Sequence, residues 1–170
     1  MNLELLMKKA DLEEAINTVE NSYQSKLKEI KQQAWNKIVD EFMMYFERVR
    51  FEVTLTANGA SAKYKTQEIT IARSFRAADN GIQIGGAMTV DGKTFPVRAI
   101  LKNNWVCPIA PPKDQALSDL YRLEKDFLYK SAVSEGGVAF AIDITLTSND
   151  DSLSSNSGSD FQQILDMFFR

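Results

Sequence analysis

One long apolar stripe runs through the first 50 residues. Leu12, Ile16, Val19, Tyr23, Leu27, Ile30, Ala34, Ile38, Phe42, Tyr45 and Val49 recur every 3.7 residues on average, and no Gly or Pro occurs before Gly59. That pattern predicts a single helix over residues 11–50, opened by Asp11 and Glu14 in a capping-box arrangement. At about 1.5 Å per residue it would run ~60 Å, more than a small domain covers. A period above about 3.5 also disfavours a tight left-handed supercoil. The two halves differ. As far as Gln33 the stripe is narrow and flanked by Glu, Lys, Asn and Gln, whereas Phe42-Met43-Met44-Tyr45-Phe46 reads as apolar all round and so buried on every side. The expectation is a coiled-coil-like segment over residues 1–34, projecting and self-associating through Leu12, Ile16, Val19, Tyr23, Leu27 and Ile30, with an intramolecular fold-back as the alternative. The second half would pack beneath an α+β domain over residues 35–147.

Beyond residue 50 the period changes from helical to alternating. Phe51, Val53 and Leu55 alternate with polar residues up to Asn58-Gly59, a tight-turn signal. Residues 64–75 resume with Ile69, Ile71 and Phe75, and Asp79-Asn80-Gly81 turns the chain into Ile82, Ile84, Met88 and Val90. Asp91-Gly92 is a type I′ hairpin signal leading to Phe95, Val97 and Ala99, with Pro96 arguing for a late start or an edge position. Pro108 and Pro111-Pro112 then open a second helix, about residues 113–131, with Leu117, Leu120, Leu123, Phe127 and Leu128 on one face. Val138, Phe140, Ile142, Ile144 and Leu146 form a last alternating strand. The fold class expected is α+β: a long N-terminal helix, an antiparallel meander of about five strands, one packed helix and a short C-terminal helix.

The tail is organised differently. From Ser148 to Asp160, twelve of thirteen residues are Ser, Asn, Asp or Gly, so residues 148–160 read as a flexible linker. Residues 161–170 follow as a short amphipathic helix, capped at Ser159-Asp160, whose Phe161, Ile164, Leu165, Phe168 and Phe169 suit docking on a protein partner or, alternatively, folding back on its own domain. A β domain, a Ser/Asn/Gly linker and an acidic-hydrophobic tip together resemble the layout of bacterial single-stranded DNA-binding proteins, whose tips recruit other replication proteins. The resemblance covers this C-terminal layout alone; here the tip is helical and ends in Arg170, and those proteins have no long N-terminal helix.

Composition narrows the chemistry. The 170 residues hold no histidine and one cysteine, Cys107, which removes Ser-His and Cys-His nucleophile pairs, His-ligated zinc and Cys₄ sites. Neither a cofactor nor a metal is expected, and an enzyme working through carboxylates and a divalent cation is the least favoured reading. MNLELLMKK lacks the apolar core of a signal peptide, and no apolar run approaches the roughly 18 residues of a membrane span. A cytoplasmic protein without membrane contact is expected.

Charge is mild overall, −3, yet residues 51–112 hold seven Lys and Arg against four Asp and Glu. Lys63, Lys65, Arg73, Arg76, Lys93, Arg98 and Lys102 lie among Tyr64, Phe75, Phe95 and Trp105. Rings that stack bases beside cations that follow phosphates would suit single-stranded nucleic acid, or the cations would suit an acidic partner. The leading expectation is a non-enzymatic protein-binding adaptor or inhibitor acting as a helix-mediated homo-oligomer. By analogy, small acidic chains of this kind are common in phages and mobile elements, where inhibitors of host defence systems abound. A single-stranded nucleic-acid binder using the basic β surface is the alternative.

Overall fold

The computed structural model describes residues 2–74, 82–147 and 155–170. Its elements are α1 (Leu3–Arg48), β1 (Glu52–Leu55), β2 (Gly59–Tyr64), β3 (Gln67–Ser74), β4 (Gln83–Val90), β5 (Lys93–Asn103), a 3₁₀ turn (Gln115–Leu117), α2 (Ser118–Ser134), β6 (Phe140–Leu146), β7 (Asn156–Gly158) and α3 (Phe161–Phe168). The chain is α+β, with the seven strands ordered β1 to β7 in one antiparallel sheet.

Helix α1 starts eight residues before Asp11. The Asn2 side chain accepts the Glu4 N–H at 3.0 Å, and the Leu, Met, Lys and Ala that follow are strong helix formers, so Asp11 falls inside the helix. The end is equally local. Arg50 adopts φ 70°, its N–H reaches the Glu47 carbonyl, and the Phe51 N–H reaches that of Phe46. This paired closure is sealed by the Phe46 and Phe51 rings, 5.2 Å apart.

Two strands beyond the expected five come from weak local signals. Residues 59–74 are a hairpin, adding a strand before the one expected over residues 64–75: Tyr64 pairs with Gln67 around Lys65-Thr66, where Lys65 takes φ 54°. Lys-Thr is no turn signature, and Gly59-Ala60-Ser61-Ala62 has no large apolar residue to mark a strand. The other addition, β7, lies within the stretch read as linker and pairs with the end of β6, Ser157 opposite Thr145. Asp91 (φ 48°) and Gly92 (φ 74°) form the turn their dipeptide implies. Pro96 sits well inside β5 opposite Ala87, and its carbonyl accepts the Thr147 N–H at 3.0 Å. Because Pro96 is a non-hydrogen-bonded partner of Ala87, its missing N–H faces away from β4, which is how an interior proline is accommodated.

The chain folds as two compact units. One contains the chain up to Ile30 and Asn103–Phe140; the other contains Lys31–Lys102 and Ala141–Arg170. The first is a helix pair in which, among the described residues, Leu27, Val133 and Val138 are the buried apolar ones. The second holds the larger core, in which Ile38, Phe42 and Phe46 of α1 are buried with Ile71, Ile84, Met88, Val97 and Ile144 of the sheet. Within it α1 is not apolar-buried on every side, since Met44 is 56% exposed.

Candidate protein-binding surfaces

The N-terminal stripe has a partner inside its own unit. Leu27 is buried, and Leu12, Ile16, Val19, Tyr23 and Ile30 are half-buried. Tyr23 meets Tyr129 of α2 edge-on at 6.1 Å, and Lys130 of α2 bonds Glu20 at 2.7 Å and Asp126 at 3.3 Å. The Lys130 ammonium also stands over the Tyr23 ring, 5.5 Å from its centre. Hydrogen bonding to Lys130 holds the Glu20 carboxyl below its ordinary range and raises Lys130 in return, while burial pushes the Tyr23 and Tyr129 phenols up. A stripe flanked by α2 in this way offers a second copy much less than its sequence suggests.

Helix α3 is likewise covered by its own unit. Asp160 caps it, accepting from the N–H groups of Gln162 and Gln163, and Glu41 of α1 accepts from the Phe161 N–H at 2.7 Å. Phe161, Ile164 and Leu165 have no exposed surface. Phe168 packs on Phe95 at 4.8 Å, and Phe169 lies against Phe46 and Tyr45. Lys37 bonds the Ser159 carbonyl, and Arg48 pairs with Asp166. Of the two expected destinations of this segment, a partner or its own domain, the structure shows the second, and three of its five named residues are core. An amphipathic face that finds apolar surface on its own chain meets it at high effective concentration.

The basic residues that the structure describes do not converge. Alternation places Arg73 on the face of the sheet toward α1, where its guanidinium bonds the Gln32 side-chain oxygen at 2.8 Å. Lys63, Arg98 and Lys102 are on the opposite face, with Lys63 paired to Glu68 and Lys102 to Asp143. Ser61 also donates to Glu68 at 2.7 Å, which lowers that carboxyl. Lys65 is a turn residue over Tyr64, and Lys93 closes the Asp91-Gly92 hairpin. The rings stand elsewhere: Tyr64 packs on Phe51, Phe95 on Phe168, and Trp105 on Tyr129 in the other unit. Arg76 and Phe75 lie outside the described residues, as do Asp79-Asn80-Gly81, Asp150 and Asp151. Among the described residues no ring shares the open face of the sheet with Lys63, Arg98 and Lys102. Nor is there among them any group of three acidic or cysteine side chains that could hold a metal ion, or any helix long and apolar enough to cross a membrane.

A site that the pattern did not mark lies at the first edge of the sheet. Strand β1 comes first in the strand order, so among the described residues one side of it has no strand partner. Thr56 donates to the Gly59 carbonyl, making that a hydrogen-bonded pair; Thr54 with Ser61 is then the next, and Val53 and Leu55 direct their N–H and C=O groups outward. Their side chains lie on the α1 side of the sheet, and Leu55 is 64% exposed. Beside it a cavity of about 130 Å³ opens between α1 and the β1–β2 turn, lined by Trp35, Asn36 and Val39 from α1 and by Leu55, Asn58 and Arg73 from the sheet, with others. A cavity near 150 Å³ accommodates a benzene ring, so this one has room for a single side chain.

Close packing shapes that cavity. The Trp35 indole N–H donates to the Asn58 carbonyl at 3.1 Å, and its ring lies over Gly86, where an added Cβ would come 2.3 Å from a ring carbon. At Gly59 an added Cβ would fall 1.8 Å from the Ile71 carbonyl oxygen. Asn58-Gly59 thus does more than turn the chain: its glycine lets β2 approach β3. Leu55 carried a signal in retrospect, as a large apolar residue at the end of a short strand. No local pattern says which strand is the edge. No family model, no curated protein and no solved structure matches the chain.

Proposed function

We propose that the protein is a non-enzymatic protein-binding module that takes up an extended segment of a partner by strand addition at β1. The observation carrying this reading is the open β1 edge itself: outward backbone groups on Val53 and Leu55, an exposed Leu55, and a side-chain-sized cavity alongside. Strand addition uses main-chain hydrogen bonds for affinity and pockets at alternate positions for selectivity. Both are available here. The basic face has cations without rings, so the same geometry gives the nucleic-acid alternative no comparable support.

The test is selection of displayed random peptides on the full-length protein. Peptides with alternating apolar residues are expected, and Leu55→Asp should weaken them at least about tenfold, the loss equivalent to one exposed leucine contact. Val53→Pro, which removes an outward donor, should do the same. Selected peptides that bind both variants as well as the wild type would overturn the assignment to β1.

A further inference from the structure

Resting on that reading of the edge, we infer that its occupant is a second copy of this chain, paired β1 to β1 about a twofold axis. The inference comes from the self-complementarity of Glu52-Val53-Thr54-Leu55. Antiparallel pairing matches outward residues with outward residues, and only an axis at Thr54 uses both of them. Val53 then pairs with Leu55 of the copy, and Leu55 with its Val53, making four main-chain hydrogen bonds. Side chains follow the same arithmetic. Val53 and Leu55 meet their counterparts on the α1 side, covering the most exposed large apolar residue of the sheet. On the other side Glu52 falls opposite Thr56, and Arg50 opposite Asn58, so no like charges oppose. Shifting the axis to Glu52 would set two carboxylates face to face, at a penalty.

The contrast between the sheet's two edges supports self-pairing. Natural edge strands are normally guarded by lysine, proline, a bulge or brevity. At the far edge β7 is three residues long, Asn156–Gly158, with no large side chain. At the near edge β1 has neither Lys nor Pro, alternates polar with apolar, and keeps a regular register with β2 over all four residues. An edge that lacks lysine, proline and a bulge, and whose sequence is compatible with its own reversal, can pair with a second copy. Four residues a side make a small interface, so the dimer should dissociate on dilution.

Two measurements on the full chain decide it. Sedimentation equilibrium from micromolar to submillimolar concentration should show a monomer–dimer equilibrium, weakened at least about tenfold by Leu55→Asp, the loss of about 1.4 kcal/mol or more. In a Cys107→Ser background, Thr54→Cys should oxidise to a covalent dimer, because facing non-hydrogen-bonded residues lie about 4.5 Å apart at Cα, within disulfide range. Thr70→Cys on β3 should not. Since Leu55 is exposed, its variant should keep the wild-type circular dichroism and so report on association alone. A wild type that stays monomeric while binding selected peptides at β1 overturns the homodimer and leaves strand addition standing. A monomer that also selects no peptides removes both, and a dimer indifferent to Leu55→Asp and uncrosslinked at Thr54→Cys overturns the inference.

Discussion

Gly59 and Gly86 are both glycine for want of space, yet they should respond differently to a methyl group. At Gly86 the nearest obstacle is the Trp35 ring, 2.3 Å from an added Cβ, with the Ala72 backbone carbonyl behind it at 2.9 Å; at Gly59 it is the Ile71 backbone carbonyl at 1.8 Å, which cannot yield without parting two strands. Gly86→Ala is expected to cost about 1–3 kcal/mol, and Gly59→Ala more, by denaturant unfolding. The Gly86 penalty should shrink when Trp35 is first replaced by Leu, the non-additivity expected of residues in contact. A second residue-scale expectation concerns Glu20 and Lys130. Hydrogen bonding to Lys130 holds the folded Glu20 carboxyl below its ordinary range, so its contribution is full above that range and is lost as pH falls through the depressed folded value. Lys130 titrates above 10.5, so its contribution is full below that pH and is lost as pH rises through the raised value. Because Glu20 is more than a third exposed, solvent screening limits the pair, and Glu20→Gln should cost only about 0.5 kcal/mol near neutrality. A pH series of melting curves on both proteins should show the difference vanish in acid.

Among the elements, α3 most changes what the chain is expected to do. A tethered docking helix would be dispensable for folding; a helix with three completely buried side chains is not. At about 1.5–3 kcal/mol for each of Phe161, Ile164 and Leu165, its burial rivals a large share of the ~5–15 kcal/mol that holds an ordinary domain together. Removing residues 161–170 should therefore lower the melting temperature by more than about 10 °C or abolish the cooperative transition. Leu165→Ala alone should cost about 2–5 kcal/mol. A truncated protein that melts like the full chain would restore the tail as a docking element. The amphipathic pattern of α3 was plain in the sequence, and so was a cap at Ser159-Asp160, although Asp160 supplies it where the Ser159–Gln162 spacing of a capping box points to Ser159. Its site of burial was not, because an apolar face specifies only that it needs cover.

For the molecule as a whole, the uneven distribution of core predicts uneven opening. Among the described residues, the unit containing the chain up to Ile30 has three buried apolar residues, whereas the unit made of Lys31–Lys102 and Ala141–Arg170 holds the rest. Amides of α1 before Ile30 should exchange with deuterium faster than those from Trp35 to Phe46, although both belong to one continuous helix. Uniform protection along α1 would contradict this. Binding to single-stranded oligonucleotides should be weak even at low salt and should vanish as salt rises, because Lys63 and Lys102 are paired with acids and no described ring stands beside them to stack a base. Fluorescence anisotropy showing tight, salt-tolerant binding would revive the nucleic-acid reading.

Much of the architecture was legible along the chain wherever the cause is local. The 3.7-residue period implied α1, Asp91-Gly92 its hairpin, the apolar face after Pro111-Pro112 the helix α2, and alternation five of the strands. Each follows from backbone dihedrals, capping or periodicity within a few residues. Residues 59–62 escaped notice because a strand of small side chains carries no apolar alternation, and β7 because three polar residues look like linker. What folding in three dimensions alone decided was the allocation of apolar surface. The stripe of α1 lies beside α2, about a hundred residues further along; α3 joins the core of its own unit, and β1 is left as the open edge. Those outcomes depend on which faces compete for the same cover, a competition between segments distant in sequence that no local pattern records.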